Sequence, residues 1–163
     1  MLGRLINYFT IAVAAASVIA LIGLIAVWAD IPLLFASLGP TVAIQASTPQ
    51  QRIALPWNVA AGHLIALGIG VAALYASGAI VQPPFLESHA LSFERISAAA
   101  FALSIGLFIE FLLKASHPPA ASTSLLVTLG AVQINERGVV AVVSGIFLVT
   151  VFGEAVRQLR LRV

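Results

Sequence analysis

Residues 111–130, FLLKASHPPAASTSLLVTLG, decide the fold: a hydrophobic helix ends within them at His117-Pro118-Pro119, and a second apolar segment, AASTSLLVTLGAV, begins at once. Proline lacks an N–H and denies the α conformation to the residue before it, so His117 and Pro118 are extended and a new helix starts no earlier than Pro119. The apolar run is therefore split in two. An ionisable ring beside a forced break in apolar surroundings is a candidate for function.

Around this break the composition is that of an integral membrane protein. Of 163 residues, 61% are hydrophobic and 9% charged, with a mean hydropathy of +1.08. Soluble domains run near 45–50% apolar and roughly 25% charged. The uncharged stretches are Leu5–Ala29, Ile31–Gln51, Ile53–Leu86, Ile96–Ile109, Ala115–Asn135 and Gly138–Gly153. Crossing a bilayer takes about 20 apolar residues, so several of these must be helped by their neighbours. The net charge of +2 comes mostly from arginines at the ends and in short loops, which carries topology and gives no sign of nucleic-acid binding. The chain has no cysteine, which excludes thiol chemistry. The first apolar run is longer than the usual 7–15 residues of a signal core and reads as a first transmembrane helix.

Helices are expected over about 9–28, 58–81, 96–113 and 138–155, in a single transmembrane domain covering 1–163. Trp28 sits at the interface, and Asp30-Ile31-Pro32 closes the first helix. Between the first two helices LLFASLGPTVAIQAS is broken at Gly39-Pro40, and between the last two AASTSLLVTLGAV follows the His117 break. Each broken segment predicts a helix of half membrane thickness, the second ending near Val132. The order of long helix, Pro-broken half-helix and long helix thus occurs twice, in halves of about 5–81 and 88–155. Ala36–Pro40 aligns with Ala115–Pro119 at an offset of 79, and Asn58 and Gly68 align with Asn135 and Gly145 at an offset of 77. Paired interrupted segments are a mark of transporters built from internal repeats, with the site at the breaks. If both segments cross, six positive charges (Arg4, Arg52, Lys114, Arg157, Arg160, Arg162) share one side and only Arg95 and Arg137 the other. Re-entrant segments would give five to three. The positive-inside rule favours six passes, cytoplasmic termini and an inverted repeat, in a bacterial cell membrane.

His117-Pro118-Pro119, together with Pro56-Trp57-Asn58-Val59-Ala60-Ala61-Gly62-His63 opening a long helix after the Gly39-Pro40 break, resembles the HPP family of small integral membrane proteins. The resemblance covers about residues 5–155. It implies a four-helix membrane protein and, from plastid and cyanobacterial relatives that act in nitrite transport, a small-anion permease. Relatives commonly have Gly-Gly or Ala-Gly after the tripeptide, where this chain has Ala120-Ala121.

The residues point to an anion without the family. A helix beginning inside the membrane presents unpaired N–H groups and the positive end of its dipole. The expected donors are the backbone of Ala120, Ala121 and Ser122 with the Ser122 and Thr123 hydroxyls, and Thr41, Val42 and Ala43 at the matching break. His117 adds a proton or charge near neutral pH. The competing reading is that both breaks only kink packed helices, their polar groups bonding neighbouring carbonyls. Asn58 suits a helix N-cap. His63, a turn and a half into its helix, is either a satisfied structural ring or part of the site. Glu110 is either a proton-coupling acid or a snorkelling partner of Lys114 at i+4. Gly62, Ala66 and Gly70 make a small-residue packing face, and His89 belongs to a solvated loop. Ser122 and His117 have no acid at a suggestive spacing, and three scattered histidines make a poor metal site, so neither an enzyme nor a metal or other cofactor is expected. The partners expected are a small inorganic anion, the bilayer and further copies of the chain. The alternative is a structural or regulatory membrane subunit that transports nothing itself.

Overall fold

The structure, a computed structural model, describes residues 1–162. In chain order its helices are α1 (Leu2–Ala29), α2 (Leu38–Ser47), α3 (Pro56–Ala76), the single-turn α4 (Phe85–Ser88), α5 (Phe93–Leu112), α6 (Ala120–Thr128) and α7 (Glu136–Leu161). α1, α3, α5 and α7 are each long and apolar enough to cross a bilayer. At 1.5 Å per residue, α2 and α6 are only about 14–15 Å long, half a hydrocarbon core. There are no strands among the described residues.

Local chemistry sets the ends. Ser92 caps α5 by accepting from Arg95 N (3.2 Å), and Asn135 caps α7 by accepting from Gly138 N (2.8 Å). Gly130, with φ 77°, stops α6 by turning left-handed, so the half-helix ends at Thr128 and not near Val132. α3 starts at Pro56 with Leu55 at its cap position, which places Asn58 inside the first turn and removes it as the N-cap.

The two breaks are built differently. α2 begins at Leu38, so Pro40 lies inside its first turn, where a missing N–H costs little. Gly39 has no Cβ to meet the Pro40 ring, which lets the residue before a proline stay helical. Pro118 and Pro119 instead precede α6. The half-helices therefore start 82 residues apart (Leu38 to Ala120), and not at the offset of 79 that aligns the prolines.

Both broken segments travel the length of the bundle. Arg137, at the start of α7, donates to the Asp30 carbonyl (2.6 Å), whereas Arg157 and Arg160, near its end, donate to the carbonyls of Pro49 (2.9 Å) and Ala46 (3.2 Å). Arg157 follows Arg137 by 20 positions of helix, about 30 Å. The path from Asp30 through non-helical chain and then α2 spans that distance. On the other side, His117 N donates to the Glu110 carboxylate (3.1 Å) and Thr128 O accepts from Arg95 (2.7 Å), so the second segment retraces α5 over about 22 Å. This path gathers Arg4, Arg52, Lys114, Arg157, Arg160 and Arg162 at one end of the bundle and Arg95 and Arg137 at the other.

α3 packs against α6 and α5. A Cβ on Gly62 would lie 2.9 Å from His117 Cβ, and one on Gly70 would lie 3.1 Å from Val127 Cβ. The small-residue face is there so that α6 can approach. On α5, Ala98, Ala102, Gly106 and Glu110 form the buried stripe, but Lys114 leaves it. The helix has ended by then, Lys114 adopts φ 52°, and its side chain is exposed. The Glu110–Lys114 pairing is thus corrected.

Candidate functional site

α2 and α6 run in opposite directions from a common origin. Ser37, the residue before α2, meets Thr123 in the first turn of α6 through their hydroxyls at 2.8 Å. Two half-helix amino termini therefore face each other inside the bundle. Their dipoles point the same sign of potential at the space between them.

Two histidines close this junction, and both are fully buried. His63, from α3, places Nδ1 2.7 Å from Thr123 Oγ1 and Nε2 2.9 Å from Thr41 Oγ1. His117 places Nε2 3.0 Å from the same Thr41 hydroxyl and donates from Nδ1 to the Ile53 carbonyl at 2.7 Å. The ring centroids are 5.1 Å apart. Thr41 Oγ1 also donates to the Ser37 carbonyl at 2.8 Å. Thr41 is thus the hub, touched by both imidazoles.

Around the hub, the remaining candidates take up distinct positions. Asn58 Nδ2 donates to the carbonyls of Lys114 (3.2 Å) and Ser116 (3.0 Å), which ties the chain leading into the His117 turn to α3. Glu110 is 1% exposed and accepts from His117 N. The backbone N–H groups of Ala120, Ala121 and Ser122 are already paired with the carbonyls of His117 (2.8 Å), Pro118 (3.2 Å) and Pro119 (3.1 Å). They are not the free donors expected from the sequence, because the two prolines fold the entrance to α6 into a tight turn that consumes them. The donors left at the junction are side chains. Gly39, Pro40, Pro118 and Pro119 shape the two entrances and contribute no side-chain hydrogen bond.

Ser37, Ile53 and Phe35 complete the site although the sequence did not single them out. Ser37 lies four residues before Thr41, on the same helical face, a spacing that was readable. A main-chain acceptor such as Ile53 O leaves no mark in the sequence. Phe35 stands edge-on to His63, centroids 6.5 Å apart. Phe35 also lines an open pocket of about 830 Å³, whose walls include Asp30 and Arg137.

The family described as HPP, transmembrane region, matches residues 2–162. No curated protein and no solved structure matches the chain.

Proposed function

The chain belongs to the HPP transmembrane family, and from that premise we propose that it carries a small inorganic anion across the membrane, binding it where α2 and α6 begin. The observation that carries this reading is the Ser37–Thr123 contact, which brings two half-helix amino termini together around buried imidazoles and hydroxyls. Opposed half-helix starts in a membrane interior favour an anion without a lysine or arginine at the site. The open pocket lined by Phe35 and Arg137 offers an approach from one face. Nitrite is the first anion to try, from the family resemblance. In this reading α1–α3 and α5–α7 are inverted halves, the six-charge end is cytoplasmic in a bacterial cell membrane, and the protein works as a homo-oligomer.

Purified protein in liposomes given a nitrite gradient tests it. Flux above that of empty vesicles is expected, and His117→Ala, still folded, lowers it about tenfold, the loss that goes with one charge-assisted hydrogen bond. Failure of nitrite, nitrate, formate and chloride alike to cross rejects the permease. A stable partner retained through mild detergent extraction, with no flux by the chain alone, would favour the regulatory subunit.

A further inference from the structure

Filling every polar contact at the junction at once takes one more proton than the neutral side chains hold. Six contacts join five side chains and two carbonyls: Thr41 with Ser37 O, Thr41 with His63, Thr41 with His117, His63 with Thr123, Thr123 with Ser37 Oγ, and His117 with Ile53 O. Each needs one hydrogen. Ser37, Thr41, Thr123 and two neutral imidazoles bring one each, which makes five for six contacts.

The position of the sixth follows by elimination. With all six contacts kept, Thr41 gives its hydroxyl hydrogen to the Ser37 carbonyl, which also accepts from Thr41 N (3.3 Å), and His117 Nδ1 gives its own to the Ile53 carbonyl. Thr41 Oγ1 must then accept from both rings. His63 donates from Nε2 and accepts at Nδ1 from Thr123, which in turn accepts from Ser37, so His63 stays neutral. His117 must donate from both nitrogens.

We infer that His117 binds one proton as an imidazolium at the anion site, and that this proton crosses with each anion, so that the transported unit is a monovalent anion plus H⁺. The inference rests on the anion-permease reading and deepens it. Burial alone disfavours a buried cation, and a buried carboxylate offsets that cost. Glu110 in its ionised form would supply it from α5, where it accepts from the His117 backbone N–H. Of the other elements packed on His117, α3 brings the titratable ring of His63, α2 brings the Thr41 hydroxyl, and the 52–54 turn brings the Ile53 carbonyl, Arg52 itself being exposed. On the way through, the proton adds to His117 Nε2 on the side where anion binds. It leaves from the same nitrogen where the anion is released, so the ring ends each cycle unchanged.

Two measurements on the full chain in liposomes test this. In protein with ¹⁵N-labelled histidine near neutral pH, His117, assigned by the resonances lost in His117→Gln, is expected to have both ring nitrogens protonated, while His63 keeps one bare. In flux assays with an internal pH dye and nitrite, one proton is expected to move per anion, with a rate that a potassium–valinomycin potential does not change. Because His117→Gln can disturb the turn, Glu110→Gln is the second variant. It keeps the acceptor for His117 N but removes the charge, and it should at least halve both the imidazolium signal and the protons moved per anion. A bare nitrogen on His117 overturns the inference whatever the flux. Voltage-driven nitrite flux without a pH change overturns proton coupling while leaving the anion permease standing. No anion flux at all rejects the permease and the coupling with it.

Discussion

The two half-helices start at the same junction and end on arginine, yet the arginines that meet them are bonded differently. The carboxyl end of α6 is gripped by Arg95, 3% exposed, which donates to the carbonyls of Thr128 (2.7 Å), Gln82 (2.7 Å) and Pro83 (2.9 Å). The carboxyl end of α2 receives one bond from Arg160 to Ala46 O (3.2 Å) and, just beyond, one from Arg157 to Pro49 O (2.9 Å). Arg157 spends its other donors on Glu154 at 2.6 and 2.8 Å. A cation at a helix carboxyl end meets both the dipole and the unpaired carbonyls. α6 is thereby a clamped wall of the site, and α2 a lightly tethered one.

Removing the clamps should expose this difference first. Arg95→Ala leaves three inward carbonyls without donors and is expected to cost about 3–5 kcal/mol, at 1.5–3 per charge-assisted bond with partial relaxation. Arg160→Ala, at a partly exposed end, is expected to cost about 1 kcal/mol or less. Thermal unfolding of both in one detergent compares them. Equal losses would break the contrast between the half-helices. Arg95→Lys should not restore stability, because one ammonium cannot reach three carbonyls held by a planar fork.

A smaller effect is expected where α6 meets α3. Gly62→Ala puts a Cβ 2.9 Å from His117 Cβ and 3.2 Å from the Ala115 carbonyl, atoms fixed to the main chain on both sides. The expected cost is about 1–3 kcal/mol, the range for overpacking a tight contact. Flux should fall with it, since the His117 ring must shift. Full stability and full flux in this variant would show that the α3–α6 contact yields, and α6 would then be no firmer than α2.

The clamps show where reading the sequence stops. Proline stereochemistry and apolar spacing located both breaks, the small-residue face of α3 and the four long helices, because each depends on neighbours along the chain. The count of positive charges favoured two crossing segments. But charge counting treats Arg95 and Arg157 as markers of a side, when they are donors to particular carbonyls. Which carbonyl an arginine reaches is a tertiary fact. In the same way His63 and His117 are 54 residues apart, and nothing local says that both rings converge on Thr41. The N–H groups of residues 120–122 looked free because the turn that consumes them needs the conformation of two successive prolines.

The remaining test of the contrast lies inside α2. Gln45 is fully buried, one turn beyond Thr41 on the face that also holds Ser37, and among the described residues neither its amide oxygen nor its nitrogen has a hydrogen-bond partner. Its amide fits against α7 because residue 153 is glycine, whose missing side chain leaves the space. A buried amide with no partner costs about 1–3 kcal/mol, so a folded protein that keeps one forgoes stability on its more loosely held half-helix. Gln45→Met preserves length and volume while removing both orphaned atoms. It is expected to raise the unfolding midpoint, a gain of about 1 kcal/mol or more, whereas most core substitutions lower it. If flux falls as stability rises, the amide is retained for the passing anion, one helical turn from the histidine pair. If stability falls instead, the amide has a partner in the membrane-embedded protein, and α2 is anchored more firmly than its two arginine contacts imply.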